Sequence, residues 1–314
     1  MPNSNRPLPL LDLPYPPGMV IALLLLLVFF CMLLGQGAIL LTAWAAGYDL
    51  QTFLSSFNAM TGGGERNFFR LITLINHLFT FFVPALAIAV LLYRRDWLRS
   101  FQLDVRPEGR LLGLGALWIV LAFPLALLTY SLNKALPLPD WMVQLEDSTN
   151  SLIEGFLQMD SPWELIATLF VMALVPAIGE EMVFRGILQQ NLERRLRSGV
   201  AAVWLGAVIF SAFHLQFQGF LPRVLLGATL GYLYYWTRNL WISIGAHFAN
   251  NALQVLAAYF WGAEMAQLET EEQDSMPWGL VVGCTILFGG LAWHLYQITR
   301  SSSPEAIETQ SFEE

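Results

Sequence analysis

Three short polar clusters interrupt otherwise apolar stretches of the chain. They are Gly179-Glu180-Glu181-Met182-Val183-Phe184-Arg185, Phe210-Ser211-Ala212-Phe213-His214 and His247-Phe248-Ala249-Asn250-Asn251. A charged side chain at mid-bilayer costs roughly 2.5–3.5 kcal/mol on insertion scales, so such groups are kept where they pair or face a wet cavity. Helical geometry separates the two glutamates. At about 100° per residue, Glu181 and Arg185 share a face and form an i,i+4 pair in the favoured Glu-first order. Glu180 and Arg185 diverge by about 140°, which leaves Glu180 free to point elsewhere. Pro176 removes a helical hydrogen bond just upstream and Gly179 loosens the same turn, so a kink can aim Glu180 inward. Ser243, His247, Asn251 and Gln254 form one helix face, and His214 shares a face with Gln218 if its helix runs that far.

One carboxylate and two imidazoles from three helices can therefore converge. Glu180, His214 and His247 make a three-ligand set for a divalent metal such as Zn²⁺, with a fourth position open for water. Without metal, Glu180 can act as general base on a water, with His and Asn side chains stabilising an oxyanion. Both routes hydrolyse an amide or ester, and the residues leave the choice open. No HExxH, no GxSxG and no aspartyl pair within the spans is present. His77 and His294 read as structural histidines.

Elements able to hold this chemistry follow from composition. Of 314 residues, 56% are hydrophobic and only 13% charged, with a net charge of −8. Mean hydropathy is +0.54 and the pI about 5.0. Soluble enzymes, disulfide-stapled secreted domains and nucleic-acid binding are excluded on those grounds. Cys31 and Cys284 sit in apolar runs and read as small buried hydrophobes. A bilayer core about 30 Å thick needs about 20 apolar helical residues. Eight such spans are predicted, near 19–41, 71–93, 111–132, 163–178, 199–214, 221–236, 241–260 and 276–296. The expected fold is an all-α polytopic bundle. Residues 19–298 form a single transmembrane domain with the reactive core near 163–260, between disordered segments 1–18 and 299–314. The stretch from Asp140 to Asp160 can carry an amphipathic surface helix.

Arginines mark alternate loops: Arg94, Arg95, Arg99, Arg106 and Arg110; Arg194, Arg195 and Arg197; Arg238; and Arg300. The intervening loops are acidic, with Asp140, Glu146, Asp147, Glu154 and Asp160 in one and Glu264 to Asp274 in another. The positive-inside rule then sets both termini in the cytoplasm, as an even span count requires. One tension follows. Counted from the cytoplasmic side, His214 lies about 15 residues in and His247 about seven, roughly 22 and 10 Å. Tilt, a deeper start for the seventh span, or a recessed loop at Gln216 to Pro222 reconciles them.

The three motifs resemble those of the CPBP family, the CAAX proteases and bacteriocin-processing enzymes. Glu180-Glu181-xxx-Arg185, Phe210-xxx-His214 and His247-xxx-Asn251 stand complete and in the family's order. The resemblance covers about Trp163 to Phe260. It implies an intramembrane endopeptidase, with Glu180 activating water, His214 and His247 holding a metal or polarising the site, and Asn251 supporting the oxyanion. Glu181 and Arg185 are supporting members. The expected partners are a peptide or protein substrate at the membrane and the lipid bilayer itself. Two other functions fit an intramembrane Glu/His/Arg set: an ion-coupled transporter, and a non-catalytic scaffold or immunity protein that binds peptides. No internal repeat of the kind many transporters carry is visible.

Overall fold

The computed structural model describes residues 15–262 and 278–300. Most of the terminal segments expected to be disordered, and the acidic stretch from Glu264 to Asp274, lie outside the described residues; the ends that are described, 17–18 and 299–300, are helical and not disordered. Among the described residues the chain is helical throughout, without a strand. Its helices are α1 Pro17–Ala45, α2 Leu50–Ser56, α3 Gly63–Ser100, α4 Gly109–Lys134, α5 Asp140–Leu157, α6 Pro162–Leu196, α7 Gly199–Phe213, α8 Phe220–Thr237, α9 Leu240–Trp261 and α10 Trp278–Arg300. Every predicted span falls on one of these helices. Five of them, α1, α3, α4, α6 and α10, are long and apolar enough to cross a membrane, and α7 is a shorter apolar helix. The chain is an integral, multi-pass membrane protein.

Lipid-facing helices bury only one stripe. In α1 the buried residues Val20, Leu24, Val28, Cys31, Gly35, Ile39 and Ala43 recur every three or four positions, while Leu25, Leu26, Phe29 and Phe30 are exposed. A polytopic membrane protein spares only the packed face from lipid, so the rest can stay uniformly apolar. By contrast, α6 is buried nearly all round from Val175 to Leu192. It is the central helix, packed by α3, α7 and α9.

α3 departs from its predicted start, and both α3 and α6 depart from regularity, for identifiable reasons. α3 begins at Gly63, not near Leu71, because its polar first turns are paired internally. Arg66 and Arg70 both bond Glu164, at 3.0 Å each, and Arg66 also bonds Asp160. A hydropathy reading omits such a turn, although pairing lets it be buried. Both α3 and α6 carry a π-turn just before a proline: Leu78–Phe82 before Pro84, and Leu169–Leu174 before Pro176. Proline lacks an N–H and crowds the carbonyl four residues back, so wide turns relieve the strain. At the bend of α6, Gly179 lets α3 approach. A Cβ there would lie 2.8 Å from Phe82 Cδ2 and 3.1 Å from Phe81 Cβ.

Candidate active site

Glu180 and Glu181 leave α6 in different directions. Glu181 is fully buried and accepts from Arg185 Nη1 at 2.7 Å. Arg185 also donates through Nη2 to the Gly227 carbonyl at 2.7 Å and lies 4.9 Å over the Phe210 ring. Neither Glu181 nor Arg185 lines the cavity that Glu180 faces. The same Glu181 oxygen, Oε1, lies 2.9 Å from His247 Nδ1. A carboxylate can only accept there, so His247 carries its proton on Nδ1 and presents the Nε2 lone pair. His214 arrives at the same tautomer differently, because its Nδ1 donates to the Phe210 carbonyl at 2.8 Å.

Both exposed lone pairs point at Glu180. His214 Nε2 and His247 Nε2 each stand 4.0 Å from Glu180 Oε2, and that oxygen is buried without a hydrogen-bond partner. Oε2 thus has two imidazole nitrogens at equal distance. A single water at ordinary hydrogen-bond distance, about 2.8 Å, can bridge Oε2 and one of the two nitrogens. Phe210 organises the group from behind. Its ring packs edge-on against His214 at 4.8 Å and His247 at 6.2 Å, and it supports the Arg185 guanidinium.

Glu180, His214, His247, Asn250, Asn251 and Gln254 line a cavity of about 310 Å³ that α4, α5 and α8 close. Asn251 has a second task. Its Nδ2 donates to the Met172 carbonyl at 3.1 Å, which is the carbonyl four residues before Pro176 and is freed by that proline. Asn251 therefore ties α9 to the kink of α6, and the other Nδ2 hydrogen remains for a ligand. Ser243, on the same face by spacing, stands apart from the cavity and donates to the Leu230 carbonyl.

Despite their different residue counts from the arginine-bearing end, His214 and His247 both come within 4.0 Å of Glu180 Oε2. α7 has only 15 residues, about 22 Å of helix, so it stops short of a 30 Å core. The shared face expected for His214 and Gln218 does not occur. The helix ends at Phe213, His214 is its cap, and Leu215 takes a positive φ of 54°. The turn that follows is held by neighbours. Asn133 donates to the Phe217 carbonyl at 2.7 Å and accepts from Leu221 N at 3.1 Å. Glu146 accepts from Gln218 N at 2.8 Å, and Ser211 donates to the Phe220 carbonyl at 2.7 Å. Irregular backbone at membrane depth is tolerated where protein buries it or it lines a cavity, and this loop lines one.

His77 is the residue sequence reasoning passed over. It extends from α3 to within 4.0 Å of Glu180 Oε1. The signal that could have found it is the one applied to His214 and His247, an imidazole within an apolar span. His294, the other histidine read as structural, meets Arg110 on the surface at 3.2 Å.

As to metal, the donor chemistry fits. Oε2 of Glu180 and two Nε2 lone pairs converge, and each imidazole is oriented by an outer hydrogen bond, as metal-ligating histidines usually are. As placed, no group of three or more His, Cys, Asp or Glu among the described residues stands at metal-holding distances.

Fold and site together define a class: a multi-pass helical membrane protein with a carboxylate and imidazoles gathered on a buried cavity. Residues 162–253, from the start of α6 into α9, match the family described as type II CAAX prenyl endopeptidase Rce1-like. That stretch contains all seven motif residues. The uncharacterized protein YpbD of Bacillus subtilis (strain 168) is 30% identical over 92 residues, which are 28% of this chain and 44% of YpbD. YdiL, a proposed membrane peptidase of the same organism, is 25% identical over 178 residues, covering 56% of this chain and 68% of YdiL. The matched stretch of the chain thus spans less than half the length of YpbD and about two thirds of YdiL. No solved structure matches significantly.

Proposed function

We propose that the chain is an intramembrane endopeptidase of the CAAX-protease type, cutting peptide bonds of membrane-associated or C-terminal peptides with a water activated by Glu180. The observation that carries this reading is that His214 Nε2 and His247 Nε2 each stand 4.0 Å from Glu180 Oε2 on the wall of a partly open cavity. The family match over 162–253 supports the same class of reaction.

In this scheme the water gives one hydrogen bond to Glu180 Oε2 and the other to an imidazole Nε2, which fixes its lone pair toward a bound peptide. Glu180 takes the proton as the water oxygen bonds to the carbonyl carbon. The second Nδ2 hydrogen of Asn251 meets the developing oxyanion. Collapse breaks the C–N bond, and the proton held on Glu180 passes to the leaving amine. Glu181 acts through His247, whose tautomer it fixes, and Arg185 balances the Glu181 charge. If a divalent ion binds, Glu180, His214 and His247 hold it, and it supplies a water with a lowered pKa.

The test is cleavage of a peptide library by the purified protein in detergent or nanodiscs. Cleavage by the wild type that Glu180→Gln abolishes is expected. Full turnover by that variant refutes the assignment.

A further inference from the structure

Glu180 has two carboxylate oxygens, and the scheme above uses only Oε2. A carboxylate turns readily about its last torsion, which is broad and two-fold. Something must hold it if Oε2 is to stay aimed at the two imidazoles. On the opposite side, His77 Nδ1 stands 4.0 Å from Oε1, and this nitrogen is buried without a hydrogen-bond partner. A single water at ordinary distance from both atoms spans that gap.

The placement of His77 is built into the helices. It is the last residue before the π-turn Leu78–Phe82, its ring stacks on Phe81 at 5.7 Å, and Phe81 and Phe82 pack directly on Gly179. Any larger residue at 179 would push this turn away from Glu180. His77 is not among the residues that line the cavity, so its route to the reaction runs through Glu180. It also lies well outside the stretch that matches the family, residues 162–253.

We infer that His77 is a positioning residue, holding Glu180 Oε1 through a bridging water so that Oε2 stays directed at His214 and His247. This rests on the reading of Glu180 as the base. The experiment measures kcat and KM for His77→Leu, His77→Asn, Glu180→Gln and the His77→Leu/Glu180→Gln pair, with detergent melting curves for all four. Misplacing a reacting group by about 1 Å costs about 10²-fold, so His77→Leu is expected to lose that much kcat while KM stays within about two-fold. His77→Asn keeps an amide N–H near the Nδ1 position and is expected to recover at least about ten-fold of the loss. The paired variant is expected to be no slower than Glu180→Gln alone, and the two melting shifts to be non-additive. Unchanged kcat in His77→Leu, no recovery in His77→Asn, or strictly additive melting shifts would overturn the proposal. Full activity of Glu180→Gln would instead refute the Glu180 base, and the melting cycle would still decide whether His77 and Glu180 interact.

Discussion

Adjacent glutamates meet opposite environments at residues 180 and 181, and substitutions should separate them. Glu180→Gln keeps volume and removes the charge of a group that is outside any ion pair with lysine or arginine. Cleavage should fall by at least about 10²-fold, the low end for a lost general base, while the protein folds normally. Glu181→Gln should behave differently, because it leaves the 2%-exposed Arg185 without its partner. Breaking a buried pair costs roughly 3–5 kcal/mol, so this variant and Arg185→Ala should both lose thermal stability and yield. Removing both partners should cost less than the sum of the two. Thermal shift and peptide cleavage on all four proteins check this, and unchanged melting of the 181 and 185 variants would contradict it. A second residue-scale prediction concerns the ion. If Glu180, His214 and His247 hold a divalent metal during turnover, chelation removes activity and Zn²⁺ or Co²⁺ restores it. Full activity in protein shown metal-free by elemental analysis would leave Glu180 as base alone.

The elements that carry these residues are held by a few polar ties. The turn from His214 to Phe220 hangs chiefly on Asn133, which bonds a carbonyl and an N–H of the turn at once. Asn133→Ala leaves both groups unpaired in a buried place, at about 1–3 kcal/mol each. Its melting temperature should drop and cleavage should fall, because His214 opens that turn. Asn133→Asp still accepts from Leu221 N but sets a carboxylate oxygen against the Phe217 carbonyl in a buried place, so it should not rescue the loss; full stability of either variant would contradict this account. Such ties mark what the sequence could not convey. Periodicity and apolar run length pointed to the helical stretches, the amphipathic α5 among them, since those patterns arise from the helix's own geometry. The i,i+4 spacing of Glu181 and Arg185 is likewise local, as is the different face of Glu180. The contacts of Asn133 with residues 217 and 221, of His77 with Glu180, and of Arg66 with Glu164 join positions more than 80 apart. Nothing in the local pattern around Asn133, His77 or Arg66 points to those partners. The end of α7 at Phe213 falls within one residue of the predicted span 199–214, whereas the external ties that hold the turn after it were not legible.

At the scale of the whole molecule, the two ends of the bundle differ in charge and in what they carry. One end holds Arg94 to Arg110, Arg194 to Arg197 and Arg238, knit together by the Arg238–Glu193 pair, Gln190 to the Ser100 carbonyl and Asn239 to the Val105 carbonyl. The other end holds the Arg66–Glu164 pair, the acidic helix α5 and the turn 214–219, which α5 contacts through Glu146. The candidate cavity belongs to this second end, since Glu146, Asn150 and Gln216 form part of its wall. The positive-inside rule sets the arginine-bearing end in the cytoplasm. The cavity is then expected to receive its peptide from the extracytoplasmic side. In a chain with Cys31 and Cys284 replaced by serine, single cysteines at 99, 147, 150 and 195 test this with a membrane-impermeant maleimide. Intact cells should label positions 147 and 150, and inverted vesicles should label 99 and 195. A cleavable peptide added outside should slow labelling at 150 while leaving 147 unchanged, because only Asn150 lies on the cavity wall. Labelling of 147 and 150 from the cytoplasmic face would reverse the orientation and make the substrate a cytoplasmic one. Protection of 150 by peptide from neither side would separate the cavity from peptide binding altogether.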